Sequence, residues 1–258
     1  MDWQFLDTGF HAGAYNMDLD EKLVRSLADG SGRPTIRVYG WNPPAISLGW
    51  NQRMEEIDAA QAAADGIDVV RRPTGGRAIL HSEELTYSVT ITSGGKNVLA
   101  VYNDISRALV CGLRSLGADV SLEKVQPHFP TLYQSPSSSA CFSSSARYEI
   151  QAGGRKLVGS AQRRFAGPDG HDVVLQHGSV LLGGDHKRLV RYLRTENEPA
   201  REKLAADMET KTIDLSGVVG RPVSFEEAAD AVRTGFEEAW GIRVRRMEYE
   251  PASLGGQS

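Results

Sequence analysis

Three strand-like runs follow one another between Arg147 and Leu182, and no other stretch restricts the fold as much. Arg147-Tyr148-Glu149-Ile150, Gly154 to Phe165 and Val173 to Leu182 are joined by turns at Gly153-Gly154 and Gly167-Pro168-Asp169-Gly170. Strands joined by such short glycine turns predict an antiparallel meander. A helix to lie across that sheet is predicted from Val98 to Leu116. Its residues Val98, Val101, Tyr102, Ile105, Leu109, Leu113 and Leu116 fall on one stripe, with Ala108 and Gly112 filling it.

The rest of the chain supplies elements of both kinds. Gln4 to Gly9 reads as a strand and turn, and Ala14 to Leu27 as an amphipathic helix stopped by Gly30-Ser31-Gly32. Strands are expected at 35–39, 45–49 and 85–91, with a helix from Glu55 to Ala64 and a final strand within Ile242 to Tyr249. Beyond Gly184 the chain turns helical. Ser224 caps the run from Phe225 to Trp240, with Glu227 completing a capping box. The longest irregular segment, from Gln126 to Ser145, is rich in serine and proline, and Leu254 to Ser258 reads as a frayed tail.

The 258 residues suffice for one large domain, and a net charge of −4 argues against a general nucleic-acid binder. The absence of an apolar run near 18 residues, or of a leader-like N-terminus, gives the expectation of a cytoplasmic protein without a membrane span. Two cysteines, Cys111 and Cys141, cannot form a disulfide framework. Cys111 lies off the helix stripe and reads as structural, whereas Cys141 sits among small residues in the long loop, where a thiolate nucleophile would be accessible. Lys156, on a strand rimmed by glycines, could lower a thiol's pKa, hydrogen-bond a carbonyl or deprotonate an amine. His81 and His177 end or interrupt apolar strands and read first as hydrogen-bonded structural residues. No metal-ligand spacing, P-loop, dinucleotide fingerprint or GxSxG elbow occurs.

Arg71-Arg72-Pro73-Thr74-Gly75-Gly76-Arg77-Ala78-Ile79-Leu80-His81 places a glycine turn beside fixed positive charge, a seat for the polar end of a ligand or simply a hairpin corner. Together with Glu84-Leu85-Thr86-Tyr87-Ser88, it resembles the signature of the biotin/lipoate protein ligase superfamily. Arg37 to Trp41, Pro44 to Gly49, Gly154 to Arg163 and Gln176 to Ser179 fit the same superfamily, so the resemblance spans roughly residues 3–185 in one order. Arg77 stands where ATP-dependent lipoate ligases usually carry a third glycine. The combination Pro-Thr-Gly-Gly-Arg-Ala, Glu-Leu-Thr-Tyr-Ser and Ala140-Cys141-Phe142 is similar to the cysteine-dependent octanoyltransferases of the LipM type. Ser82 departs from the aspartate common among relatives.

This resemblance implies an α+β fold, a mixed β-sheet with flanking helices plus a smaller sheet. One catalytic domain would span 1–258, with 186–258 its helical C-terminal part. It implies transfer of octanoyl from octanoyl-acyl carrier protein through a Cys141 thioester to a lysine of a lipoyl domain, such as the glycine cleavage H protein or a dehydrogenase E2 subunit, without cofactor or metal. Cys141 and Lys156 would be catalytic. Arg71, Thr74, Gly75, Gly76, Arg77, His81, Gly159 and Ser160 would bind substrate. The basic run His186 to Arg194 is a candidate docking site for the acidic carrier protein. The competing expectations are an ATP-dependent lipoate ligase, an octanoyl amidotransferase between lipoyl-domain proteins, and a silent lipoyl-domain-binding protein.

Overall fold

The computed structural model describes residues 2–123, 149–167 and 170–248. Eleven strands and six α-helices are found among them. The strands are β1 (Trp3–His11), β2 (Thr35–Trp41), β3 (Ala45–Leu48), β4 (Asp68–Arg71), β5 (Ile79–His81), β6 (Glu84–Thr92), β7 (Ser121–Glu123), β8 (Glu149–Ala152), β9 (Arg155–Ala166), β10 (Asp172–Leu181) and β11 (Val244–Glu248). The helices are α1 (Gly13–Ala28), α2 (Ala59–Ala64), α3 (Val98–Ser115), α4 (Glu198–Lys211), α5 (Leu215–Val219) and α6 (Phe225–Trp240).

The meander predicted from its glycine turns, β8-β9-β10, lies toward one side of an eight-stranded mixed sheet, ordered β11-β1-β2-β6-β10-β9-β8-β7. The β1 pairings with β2 and β11 are parallel, and the remaining neighbours are antiparallel. A second sheet, β4-β3-β5, joins the strands on either side of the Pro73 to Gly76 turn through β3. This is the expected mixed sheet with flanking helices and a smaller sheet.

Helices α3 and α6 cover one face of the large sheet. Val101, Ile105, Leu109 and Leu113 of α3 and Val232 and Phe236 of α6 join Val38, Tyr87, Val89 and Val174 in the main apolar cluster. The two helices cross on glycine. A Cβ on Gly112 would lie 2.1 Å from the Ala231 carbonyl oxygen, and one on Gly235 would lie 2.4 Å from that of Ala108. Gly112→Val is therefore expected to cost about 1–3 kcal/mol through overpacking, read as a lower denaturant midpoint.

The opposite face carries α1 and the small sheet. Met17 packs with Tyr39, Trp41 and Ala45, and Val24 and Leu27 pack with Val173 and Leu175. The helix expected over 55–64 is shorter than its alanine content suggests. Ile57 bridges to Leu193, and Asp58 caps the Gln61 N–H, so α2 begins only at Ala59, behind a 3₁₀ turn at Met54–Glu56. Ser224 and Glu227 form the predicted capping box on α6. No helix among the described residues is long and apolar enough to cross a membrane.

Candidate active site

Between the large sheet and the layer of α1 and small sheet lies a continuous set of buried polar side chains, built on alternate positions of β2, β6 and β10. Strand alternation sends Arg37, Tyr39, Thr86, Ser88, His177 and Ser179 to this face, because Arg37 pairs with Ser88, Tyr39 and Ser179 pair with Thr86, and His177 pairs with Ser88. Buried polar groups are tolerated only when hydrogen-bonded, and here the donors run in chains that end on two carboxylates.

Asp20 of α1 ends the first chain. Its Oδ1 accepts from Arg37 Nη1 at 2.8 Å and Ser88 Oγ at 2.8 Å, while Oδ2 accepts from Tyr39 Oη at 3.1 Å and contacts His177 Nδ1 at 3.2 Å. Burial alone would raise the Asp20 pKa. The Arg37 charge and the hydrogen bonds from His177 and Ser88 outweigh it and hold the carboxyl below its ordinary range. Burial, partly opposed by Asp20, lowers the His177 pKa. A neutral His177 with Nδ1–H directed at Asp20 leaves Nε2 as the acceptor for Thr74 Oγ1 at 2.6 Å. Thr74 therefore donates inward, and its outward face is a lone pair.

Glu84 ends the second chain. Arg72 Nη1 donates to Ser47 Oγ at 3.1 Å, so the Ser47 hydroxyl is directed to His81 Nε2 at 2.7 Å, and His81 Nδ1–H to Glu84 Oε1 at 2.8 Å. Trp41 Nε1 donates to Thr86 Oγ1 at 2.7 Å, and Thr86 and Ser179 donate to the same Glu84 oxygen at 2.5 and 3.0 Å. The Trp41 indole stacks on the His81 ring, with centroids 4.0 Å apart.

The arginines of the glycine turn bind the loop itself. Arg71 Nη1 reaches the carbonyls of Gly49, Trp50 and Gln52 at 2.6–3.1 Å. Arg72 holds the carbonyls of Ser47, Gly75 and Arg77 at 2.8–3.1 Å. Arg77 lies 3.9 Å from Glu56. From β9, Arg163 bonds the Pro73 carbonyl at 2.9 Å while stacked on Trp50 and Phe165. With the Thr74 carbonyl taken by Trp50 N–H, the carbonyls of residues 73–75 are all engaged, which biases the turn toward presenting N–H groups. Gly76 has φ +95°, and a Cβ there would lie 2.7 Å from Arg72 Nη2, whereas a Cβ on Gly75 would meet nothing within 4 Å.

A register shift in β9 turns Lys156 to this side. Ile150 pairs with Val158 but Gln151 pairs with Lys156, so Leu157 is an extra residue. Without it, alternation would aim Lys156 to the side of Val158. Lys156 Nζ instead meets Glu149 Oε1 at 2.5 Å, and both side chains are at most 4% exposed. Gly159, paired with Ser179, continues the same face and leaves it without a side chain at that point.

Of the residues predicted for the site, Thr74, Gly75, Gly76, His81, Lys156 and Gly159 thus belong to one face. Ser160 does not: its Oγ bonds Tyr87 Oη at 2.6 Å on the α3 side. Burial pushes the Tyr87 phenol up to about 12, so this hydroxyl remains protonated. Arg71 and Arg77 act on the loop rather than pointing free charge outward. Cys141 and the surrounding loop lie outside the described residues. Ser82 donates to Asp185 Oδ2 at 2.9 Å, tying the β5–β6 turn to the 3₁₀ helix Asp185–Arg191. Asp20, Glu84 and Glu149 were not singled out from sequence. Asp20 was detectable, because Asn16 and Asp20 fall in line with Val24 and Leu27 on the buried stripe of α1.

His177 and His186 are both depressed by burial. A histidine depressed in the folded state contributes stability that is fully present above its unfolded value near 6.5 and is lost as pH falls through the folded value. Denaturant melts should therefore show declining stability as pH drops below about 6.5, before the carboxylates titrate. Among the described residues, no group of three or more His, Cys, Asp or Glu side chains is gathered as a metal site.

Residues 12–237 match the family described as lipoyl protein ligase A/B catalytic domain. The chain is 41% identical over 251 residues to a protein named Octanoyltransferase LipM from Kyrpidia tusciae, covering 95% of this chain and 90% of that one. A protein of the same name from Symbiobacterium thermophilum is 42% identical over 247 residues, covering 94% and 88%. Among solved structures, a bipartite lipoate protein ligase from Thermoplasma acidophilum superimposes with a TM-score of 0.77 at 24% identity, covering 97% of this chain and 88% of that one. An ATP-bound lipoate-protein ligase A gives 0.74 at 23% identity, covering 97% and 90%, and at such identities the likeness concerns the fold. This chain belongs to the lipoyl protein ligase A/B catalytic domain family.

Proposed function

We propose that the protein is an octanoyltransferase of lipoate biosynthesis that moves octanoyl from octanoyl-acyl carrier protein, through a thioester on Cys141, to a lysine of a lipoyl domain such as that of the glycine cleavage H protein. The observation that carries this reading is identity of 34–42% over nearly the whole chain to proteins named Octanoyltransferase LipM. The ligase structures share the fold at 18–24% identity and do not carry their chemistry across.

In this reading the Cys141 thiolate attacks the thioester carbonyl, and the carrier thiol leaves. The acceptor amine then attacks the octanoyl-cysteine carbonyl. The amide forms, Cys141 leaves as thiolate, and the amine's proton is released. Exchange of one thioester for another is near balance and amide formation is downhill, so ATP is not required. Lys156 orients the carbonyl, and the N–H groups of the Gly75-Gly76 turn hold the polar end of the acyl group. Each buried methylene of the octanoyl tail adds about 0.8 kcal/mol of binding.

Carrier docking falls to fewer charges than the basic run promises. Lys187 pairs with Glu209 at 2.5 Å and Arg188 with Asp185 at 3.0 Å, and His186 is buried against Thr212. Arg191 and Arg194 are exposed and offer the better contacts for an acidic surface. The reading is tested by octanoyl transfer from octanoyl-acyl carrier protein to an apo lipoyl domain without nucleotide. Product in the absence of ATP supports it; product only from free lipoate with ATP and Mg²⁺ makes the protein a ligase.

A further inference from the structure

We infer that Glu149 is a specificity-determining residue: by pairing with Lys156 it makes the acyl site accept neutral thioester donors and reject free carboxylates. The inference rests on the acyltransferase reading above and concerns which donor its site admits. Lys156 is the cationic group that the β9 bulge turns toward the polar face, and a cation beside the seat of an acyl group would attract a fatty acid's carboxylate as readily as a thioester carbonyl. Glu149 removes that preference. Its Oε1 lies 2.5 Å from Nζ with both side chains buried, a charge-assisted contact in a setting where solvent screens little.

The other cations on this face are also held by partners within the protein. Arg37 is paired to Asp20 at 2.8 Å. Every guanidinium nitrogen of Arg72 is bonded within the loop and the small sheet. Glu84 brings a further negative charge, and its Oε2 has no hydrogen-bond partner among the described residues. A carboxylate entering this face would find the Lys156 charge already offset by Glu149 and would gain no free ammonium to pair with. A thioester, with no charge to desolvate, is not penalised. Discrimination thus comes from the pairing denied to the wrong substrate as well as from contacts to the right one.

The lysine-to-glutamate contact depends on the inserted Leu157. In a regular ladder Lys156 would share the side of Val158, while Glu149, next to Ile150, would lie on the other. The same bulge that aims the lysine therefore supplies its counter-charge.

The test is calorimetric titration of the full chain with sodium octanoate and, as the uncharged isostere, octanamide. Octanoate is expected to bind Glu149→Gln at least about tenfold more tightly than the unaltered protein, with octanamide affinity unchanged. Glu149→Asp, which keeps the charge but withdraws it from Nζ, should give an intermediate gain. Adding Lys156→Gln to Glu149→Gln should abolish the gain. Should Glu149→Gln fail to fold by circular dichroism, Glu149→Asp decides the matter. Octanoate affinity that is unchanged or weaker in the folded variants overturns the inference, and so does an equal gain for octanamide. Because this titration uses no turnover, absence of ATP-free octanoyl transfer in the unaltered protein would defeat the acyltransferase reading separately.

Discussion

Lys156→Met is expected to lower kcat/KM for octanoyl transfer by about 10²–10⁴-fold, the range for loss of a positioned acid–base or carbonyl-binding group. That corresponds to about 2.7–5.4 kcal/mol of transition-state stabilisation. The substitution also removes the lysine from buried Glu149, so stability should fall as well. The two effects separate in the double variant Lys156→Met/Glu149→Gln. Stability should recover, because the buried carboxylate is removed with the lysine, while activity should stay low. Recovery of activity together with stability would show that Lys156 serves the fold alone.

Asp20→Ala is expected to destabilise the protein by about 3–5 kcal/mol, the cost of removing one partner of a buried ion pair. At about 2–4 °C per kcal/mol for a chain of this size, the fall in Tm is roughly 10 °C. The magnitude follows from what one carboxylate holds: the Arg37 guanidinium, the hydroxyls of Tyr39 and Ser88, and His177. Arg37 and Asp20 have no exposed side-chain surface, so water cannot take over these bonds without opening the layer. Through His177 the loss reaches Thr74 and hence the glycine turn, so Asp20→Asn, which keeps size and some hydrogen bonding, should lose less stability yet still reduce turnover. A stability change below about 1 kcal/mol for Asp20→Ala, measured by denaturant titration, would contradict this account of the network.

The sequence reading succeeded where one local rule acts alone. Alternation and glycine turns located β9 and β10, a helical stripe located α3, and a serine three residues before a glutamate located the start of α6. The motif around Gly75-Gly76 was legible as a turn beside fixed charge, which fits a ligand seat and a hairpin corner alike. The destination of its arginines was not legible. Whether a guanidinium faces a ligand or a backbone carbonyl depends on how the loop folds back, and Arg71 and Arg72 fold back onto the segments around Ser47 and Gly49. Ser160 was drawn into the predicted site by its neighbours in sequence, although alternation sends it to the α3 side opposite Gly159. Lys156 reaches the polar face only because of a single inserted residue, and a bulge leaves no mark in composition or periodicity. Glu149 became visible only once β8 and β9 were paired. Helix α2 was overextended because alanine content favours a helix, whereas the Ile57–Leu193 bridge is a long-range contact that no local window contains.

The central claim is an acyl-enzyme formed on Cys141 without nucleotide. It is tested most directly by intact-mass measurement of the protein mixed with octanoyl-acyl carrier protein in the absence of ATP. The account predicts a mass increase of one octanoyl group, absent in Cys141→Ala and discharged when an apo lipoyl domain is added. No adduct on the unaltered protein, under conditions where free lipoate and ATP yield lipoylated product, would contradict it.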